Sequence, residues 1–61
     1  MSNTIAVHQA YTDMQKVTTK HPKLKERIED AFDLMRQEID EGEWEDLEVD
    51  RFYNYMIELT T

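Results

Sequence analysis

The sequence predicts an all-α fold, a small three-helix bundle, because three segments repeat apolar residues at the three- and four-residue spacing of an α-helix. No segment alternates apolar and polar residues in the manner of a β-strand. The helices are expected over about residues 4–18, 22–41 and 47–59, and their short connections place them in one domain over residues 1–61. A chain of 61 residues with no cysteine has no disulfide, so it depends on a thin apolar core or on a partner.

The first helix is expected to begin after a side-chain cap at Ser2 or Asn3, whose oxygen can accept from a free backbone N–H group. It is expected to end at Thr18, because β-branched residues have low helix propensity and Pro22 disfavours the α conformation before it. The apolar face of this helix comprises Ala6, Val7, Ala10, Tyr11, Met14 and Val17.

The second helix is expected to start at Pro22, because the first helical position does not need the N–H group that proline lacks. The single glycine, Gly42, follows the helix where a left-handed cap residue is favoured. The apolar stripe of this helix comprises Leu24, Ile28, Ala31, Phe32, Met35 and Ile39.

The third helix is expected to be capped by Asp46 and to have an unusually wide apolar arc. Its inner face comprises Val49, Phe52, Tyr53, Met56 and Leu59. Tyr55 and Ile57 flank that face on opposite sides and widen the arc beyond the roughly 100° that a surface helix needs. Either this helix is central to the bundle, or the extra apolar side chains form a homodimer or partner interface.

Charge is distributed unevenly along the chain, which has 14 acidic and 7 basic residues and a net charge of −7. Residues 1–25 carry a net charge of +3 and residues 26–61 a net charge of −10. Residues 38–50 contain eight acids and no base, and such a surface repels the phosphates of nucleic acids and anionic lipids. We therefore expect a basic protein partner and no direct binding of nucleic acid or membrane.

The charges of the second helix run against its dipole, which favours acids near the N-terminus and bases near the C-terminus. Here Lys23, Lys25 and Arg27 lie near the N-terminus, whereas Glu38, Asp40 and Glu41 lie near the C-terminus. Either these charges serve an interaction, or they serve only solubility.

The sequence offers no catalytic, metal-binding or cofactor-binding constellation, so we expect no enzyme activity and no cofactor. There is no cysteine, the only serine is Ser2, and His8 and His21 are too far apart to form a metal-binding pair. No apolar run approaches the length of a membrane span, and the first residues carry no basic group typical of a secretory signal. We therefore expect a cytoplasmic location.

Trp44, the only tryptophan, lies in the middle of the acidic run. It either packs over the end of the bundle as a plug between the second and third helices or anchors a partner. The favoured hypothesis is a small protein-binding or regulatory module with an acidic and aromatic contact surface. That surface comprises Glu38, Asp40, Glu41, Glu43, Trp44, Glu45, Asp46, Glu48, Tyr53, Tyr55 and Ile57. The alternatives are an acidic mimic of nucleic acid that inhibits a nucleic-acid-binding protein, and a structural subunit of a larger oligomer.

Overall fold

The computed structural model describes residues 4–61, which form three α-helices that all pack against one another. Helix α1 spans Thr4–Lys20, α2 spans Lys25–Asp40 and α3 spans Glu45–Thr60. The prediction of an all-α three-helix bundle is confirmed. None of the helices in this part of the chain is long and apolar enough to cross a bilayer. The predicted cap at Ser2 or Asn3 lies outside the described residues.

The core lies along the common axis of the helices and is built around aromatic rings. The rings of Phe32 and Phe52 meet edge to face, with centroids 5.4 Å apart. Tyr11 and Tyr53 extend this contact on either side, at 5.6 Å from Phe32 and 6.2 Å from Phe52. The buried apolar side chains are Ala10, Met14, Ile28, Phe32, Met35, Val49, Phe52 and Met56. Every one of them belongs to an apolar stripe that the helical spacing predicts.

Helix α1 continues to Lys20, two residues beyond the expected end. The hydroxyls of Thr18 and Thr19 both donate to the carbonyl of Gln15, at 3.2 and 2.8 Å, so their polar groups are satisfied within the helix. Pro22 then interrupts the backbone ladder because it has no N–H group. The chain turns helical at Pro22 as predicted, but residues 22–24 form one 3₁₀ turn and the α-helix begins at Lys25.

Helix α2 ends in a Schellman motif around Gly42. The backbone N–H of Glu43 donates to the carbonyl of Glu38 at 3.0 Å, and that of Gly42 donates to Ile39 at 3.0 Å. Gly42 has φ +105°, a conformation that side chains with a Cβ rarely adopt. The predicted left-handed cap is confirmed.

Replacing Gly42 with alanine is expected to lower the free energy of unfolding by about 1–2 kcal/mol, the usual cost of a left-handed conformation at a residue with a Cβ. A Cβ at this position would meet nothing within 4 Å, so the cost comes from the backbone alone. Urea denaturation measures it. Glu43→Ala, an exposed neighbour, is the matched control and should change the free energy by no more than about 0.5 kcal/mol. Equal effects of the two substitutions would contradict this account.

Helix α3 begins at Glu45, two residues earlier than expected, and the predicted cap at Asp46 is wrong. Trp44 occupies the N-cap position without a side-chain hydrogen bond, and its carbonyl accepts from the N–H of Glu48 at 3.1 Å. Starting the helix here places Glu45, Asp46 and Glu48 in its first turn. Acids in a first turn are stabilised by the positive end of the helix dipole, which offsets the missing cap.

Candidate functional site

The bundle separates its charges into two ends. Helix α2 runs antiparallel to α1 and α3, so the turn between α2 and α3 lies at the opposite end from the turn between α1 and α2. The acidic end, around the α2–α3 turn, comprises Asp40, Glu41, Glu43, Glu45 and Asp46. The basic end, around the α1–α2 turn, carries Lys16, Lys20, Lys23, Lys25 and Arg27 together with the two acids Glu26 and Glu58. Because the bundle is 33 Å long and 16 Å wide, the molecule has a charge asymmetry along its long axis.

Trp44 lies at the acidic end and is 76 % exposed, so the interpretation of this residue as a plug is wrong. Its neighbours Glu43 and Asp46 are exposed as well, as is Glu41 on the other side of the turn. An apolar ring surrounded by carboxylates is therefore accessible to a partner.

The other predicted contact residues differ in their exposure. Seven of the eleven are exposed: Asp40, Glu41, Glu43, Trp44, Asp46, Tyr55 and Ile57. Glu38, Glu45 and Tyr53 are half-buried, and one carboxylate oxygen of Glu45 is buried without a hydrogen-bond partner. Glu48 is only 3 % exposed, so the prediction that it belongs to the contact surface is wrong.

Glu48 lies in the packing between α2 and α3, where it faces another carboxyl group. It accepts from the guanidinium of Arg51 at 3.2 Å, the one ion pair within 4 Å among residues 4–61. The pKa of Glu38 is raised, mainly by a hydrogen bond to Glu48. Desolvation and the repulsion between the two carboxylates raise it further. Sequence reasoning missed this pair because the two residues belong to different helices and meet only in the packed bundle.

Tyr53 connects α3 to α1 and does not share a surface with Tyr55. Its hydroxyl donates to the carboxylate of Asp13, which lowers the pKa of Asp13. Burial and this same hydrogen bond raise the pKa of Tyr53 to about 12. Tyr55 instead lines the groove between α2 and α3. Tyr53 and Tyr55, both predicted contact residues, therefore lie on two different sides of α3.

A groove with a volume of about 570 Å³ runs between α2 and α3. Its apolar lining comprises Ala31, Leu34, Met35, Phe52 and Tyr55, and its charged lining comprises Arg27, Asp30, Glu38, Glu48 and Arg51. Leu34 is 55 % exposed and falls outside the predicted apolar stripe, so sequence reasoning missed it. The sequence does contain a signal for Leu34. This residue lies seven residues from both Arg27 and Glu41, and residues seven apart lie along one line of a helix, so the three share one face.

Within residues 4–61, no three metal-ligating side chains come close enough to hold an ion. No family model matches the chain, and neither the curated proteins nor the solved structures include a match. Function is therefore inferred from the chemistry of the surface.

Proposed function

We propose that this protein is a small protein-binding module that engages a basic surface of another protein through its acidic end, with Trp44 as the apolar anchor. The exposure of Trp44 among carboxylates is the observation that carries the proposal. A regulatory role fits a chain of this kind, which offers a compact contact surface and no constellation typical of catalysis.

The two components of the surface contribute differently to binding. Carboxylates attract a basic partner over a distance of about 8–10 Å at ordinary ionic strength and orient its approach. Affinity comes mainly from burying the indole ring, because tryptophan is enriched among residues whose truncation costs 2 kcal/mol or more. The acids around the ring then act as the polar rim of the contact.

An acidic mimic of nucleic acid remains the second hypothesis, but the arrangement of the acids favours it less. A mimic needs carboxylates in rows that follow a phosphate backbone. Here the exposed acids of the acidic end gather around one turn, and they surround an apolar ring that a phosphate backbone lacks. A contact with a protein surface accounts for both features.

The test is affinity capture from the native cell with the immobilised protein, followed by mass spectrometry and a binding titration with the captured protein. Trp44→Ala is expected to weaken binding about 30-fold or more, corresponding to a loss of about 2 kcal/mol. Glu43→Lys combined with Asp46→Lys should weaken it too, more strongly at low salt. The sequence placed Ile57 in the contact surface, but it lies near the C-terminal end of α3, far along the helix from Trp44, so Ile57→Ala is the matched control and should bind normally.

Unchanged capture by both acidic-end variants would contradict the proposal. Displacement of the partner by duplex DNA, with no loss for Trp44→Ala, would instead support the nucleic-acid mimic. Recovery only within a stoichiometric multisubunit assembly, with no free folded chain, would support the structural subunit.

A further inference from the structure

We propose that two copies of this chain associate side by side in antiparallel orientation, through the face formed by α2 and α3. The contact would be centred on Leu34, and the acidic end of each copy would lie against the basic end of the other. This inference does not rest on a partner of Trp44, because its contact is centred on the side of the bundle, although Glu41 of the acidic end takes part in it.

The first argument is the apolar surface. Leu34 is 55 % exposed at the centre of the α2–α3 face, and Tyr55 lies beside it in the same groove. Leu47 is also exposed and lies two turns before Tyr55 on α3. Large apolar side chains gathered on one face of a small bundle indicate an interaction surface.

The second argument is charge complementarity along α2. In an antiparallel pair of helices that cross at Leu34, each residue meets the one that lies equally far on the other side of Leu34. Arg27, seven residues before it, therefore meets Glu41 of the second copy, seven residues after it, and the symmetry gives this pair twice. The charge order that opposes the helix dipole within one copy becomes favourable between two copies.

The charge asymmetry of the whole bundle favours the same orientation. A parallel side-by-side arrangement would place the two acidic ends together, whereas the antiparallel one places each beside a basic end. Side-by-side antiparallel association also closes on itself by a twofold axis, so it produces a dimer and no filament. Asp30 and Glu38, four residues on either side of Leu34, would meet across this axis and oppose association, so we expect a dimer of moderate affinity.

The size of the face fits a dimer. An ordinary stable interface covers about 800 Å² per partner. That area is roughly one-sixth of the 4700 Å² accessible surface of this protein. A side of the bundle 33 Å long and 16 Å wide can supply it, since surface relief raises the accessible area above the flat projection.

The experiment measures the mass of the full chain by sedimentation equilibrium from low micromolar to millimolar concentration. The protein should approach twice its monomer mass of 7.4 kDa. Leu34→Glu places a charge at the centre of the contact and is expected to weaken the dimer at least ~100-fold. Ile57→Glu makes the same change at a residue of similar exposure, 59 %, on another side of α3, and should leave the dimer intact.

A charge exchange tests the orientation. Arg27→Glu alone and Glu41→Arg alone each create like-charge pairs and should weaken the dimer roughly tenfold. The double variant restores opposite charges at both contacts and should recover the affinity of the original protein. Circular dichroism confirms that each variant is helical, and the charge exchange provides the test if Leu34→Glu does not fold.

A protein that stays monomeric at millimolar concentration would overturn the proposal. So would equal dissociation by Leu34→Glu and Ile57→Glu. A double variant that is weaker than both single variants would overturn the antiparallel arrangement. Loss of the dimer in Leu34→Glu with capture through Trp44 unchanged would support this inference and show that the two surfaces act separately.

Discussion

Replacing Phe52 with alanine is expected to lower the free energy of unfolding by about 3–5 kcal/mol, a large part or all of the stability of a chain of this length. Phe52 is 3 % exposed and its ring contacts the rings of both Phe32 and Tyr53, so it joins α3 to the rest of the core. Truncating a buried phenylalanine to alanine costs about 3–5 kcal/mol, because contacts are lost and a cavity remains. Domains have about 0.05–0.15 kcal/mol of stability per residue, which is about 3–9 kcal/mol for a chain of this length. The substitution therefore removes a large part or all of the stability.

Circular dichroism at 222 nm and thermal melts measure this effect. Phe52→Leu keeps much of the buried volume and should cost clearly less, about 1.5 kcal/mol. Ile57→Ala, on the surface of the same helix, should stay within about 0.5 kcal/mol of the original protein. A Phe52→Ala protein that melts within a few degrees of the original would contradict a core centred on this ring. Melts at several concentrations separate the contribution of the proposed dimer, because association makes the midpoint depend on concentration.

Local chemistry made much of the fold predictable from the sequence. The apolar spacing locates the three helices and their buried faces, and Gly42 and Pro22 mark the two connections. The helix ends were less predictable because they depend on hydrogen bonds that compete with propensity. Thr18 and Thr19 satisfy their hydroxyls within α1, and the acids after Trp44 stabilise the first turn of α3 without a cap.

The candidate site was predictable only in part because it depends on how the helices pack. The acidic run contains both the exposed Glu43 and the buried Glu48, and no local pattern distinguishes them. The rotation of α3 against its neighbours decides that Tyr53 turns to α1 and Tyr55 to α2. Leu34 had no place in the apolar stripe of α2, and its importance emerges only when Tyr55 lies beside it.

Replacing Glu48 with glutamine is expected to stabilise the protein at pH 7, although it removes a buried, hydrogen-bonded ion. In the original protein the bond to Glu48 raises the pKa of Glu38 above its ordinary value of 4.5. A carboxyl group with a raised pKa binds more protons in the folded state than in the unfolded state. Its stabilising contribution is therefore complete below about pH 4.5 and is lost as the pH rises through the raised pKa.

The glutamine amide removes the conflict because it can donate to a deprotonated Glu38. Arg51 loses its partner, but its side chain is 72 % exposed, so water replaces the contact at small cost. The variant should therefore melt at a higher temperature than the original protein at pH 7, and this difference should shrink as the pH falls to 4.5. Asp13, whose pKa is lowered, loses its contribution only as the pH falls below 3.8, outside this range.

Urea denaturation at pH 4.5, 5.5 and 7.0 measures the pH dependence, and an NMR titration of the Glu38 carboxyl carbon locates its pKa. Glu43→Gln is the matched control, because it removes the same charge from an exposed position. General repulsion in a chain of net charge −7 would make both substitutions stabilise equally. A larger gain for Glu48→Gln, together with a lower pKa at Glu38, attributes the effect to the carboxyl pair. Equal gains would assign it to the overall charge and contradict a specific conflict between α2 and α3.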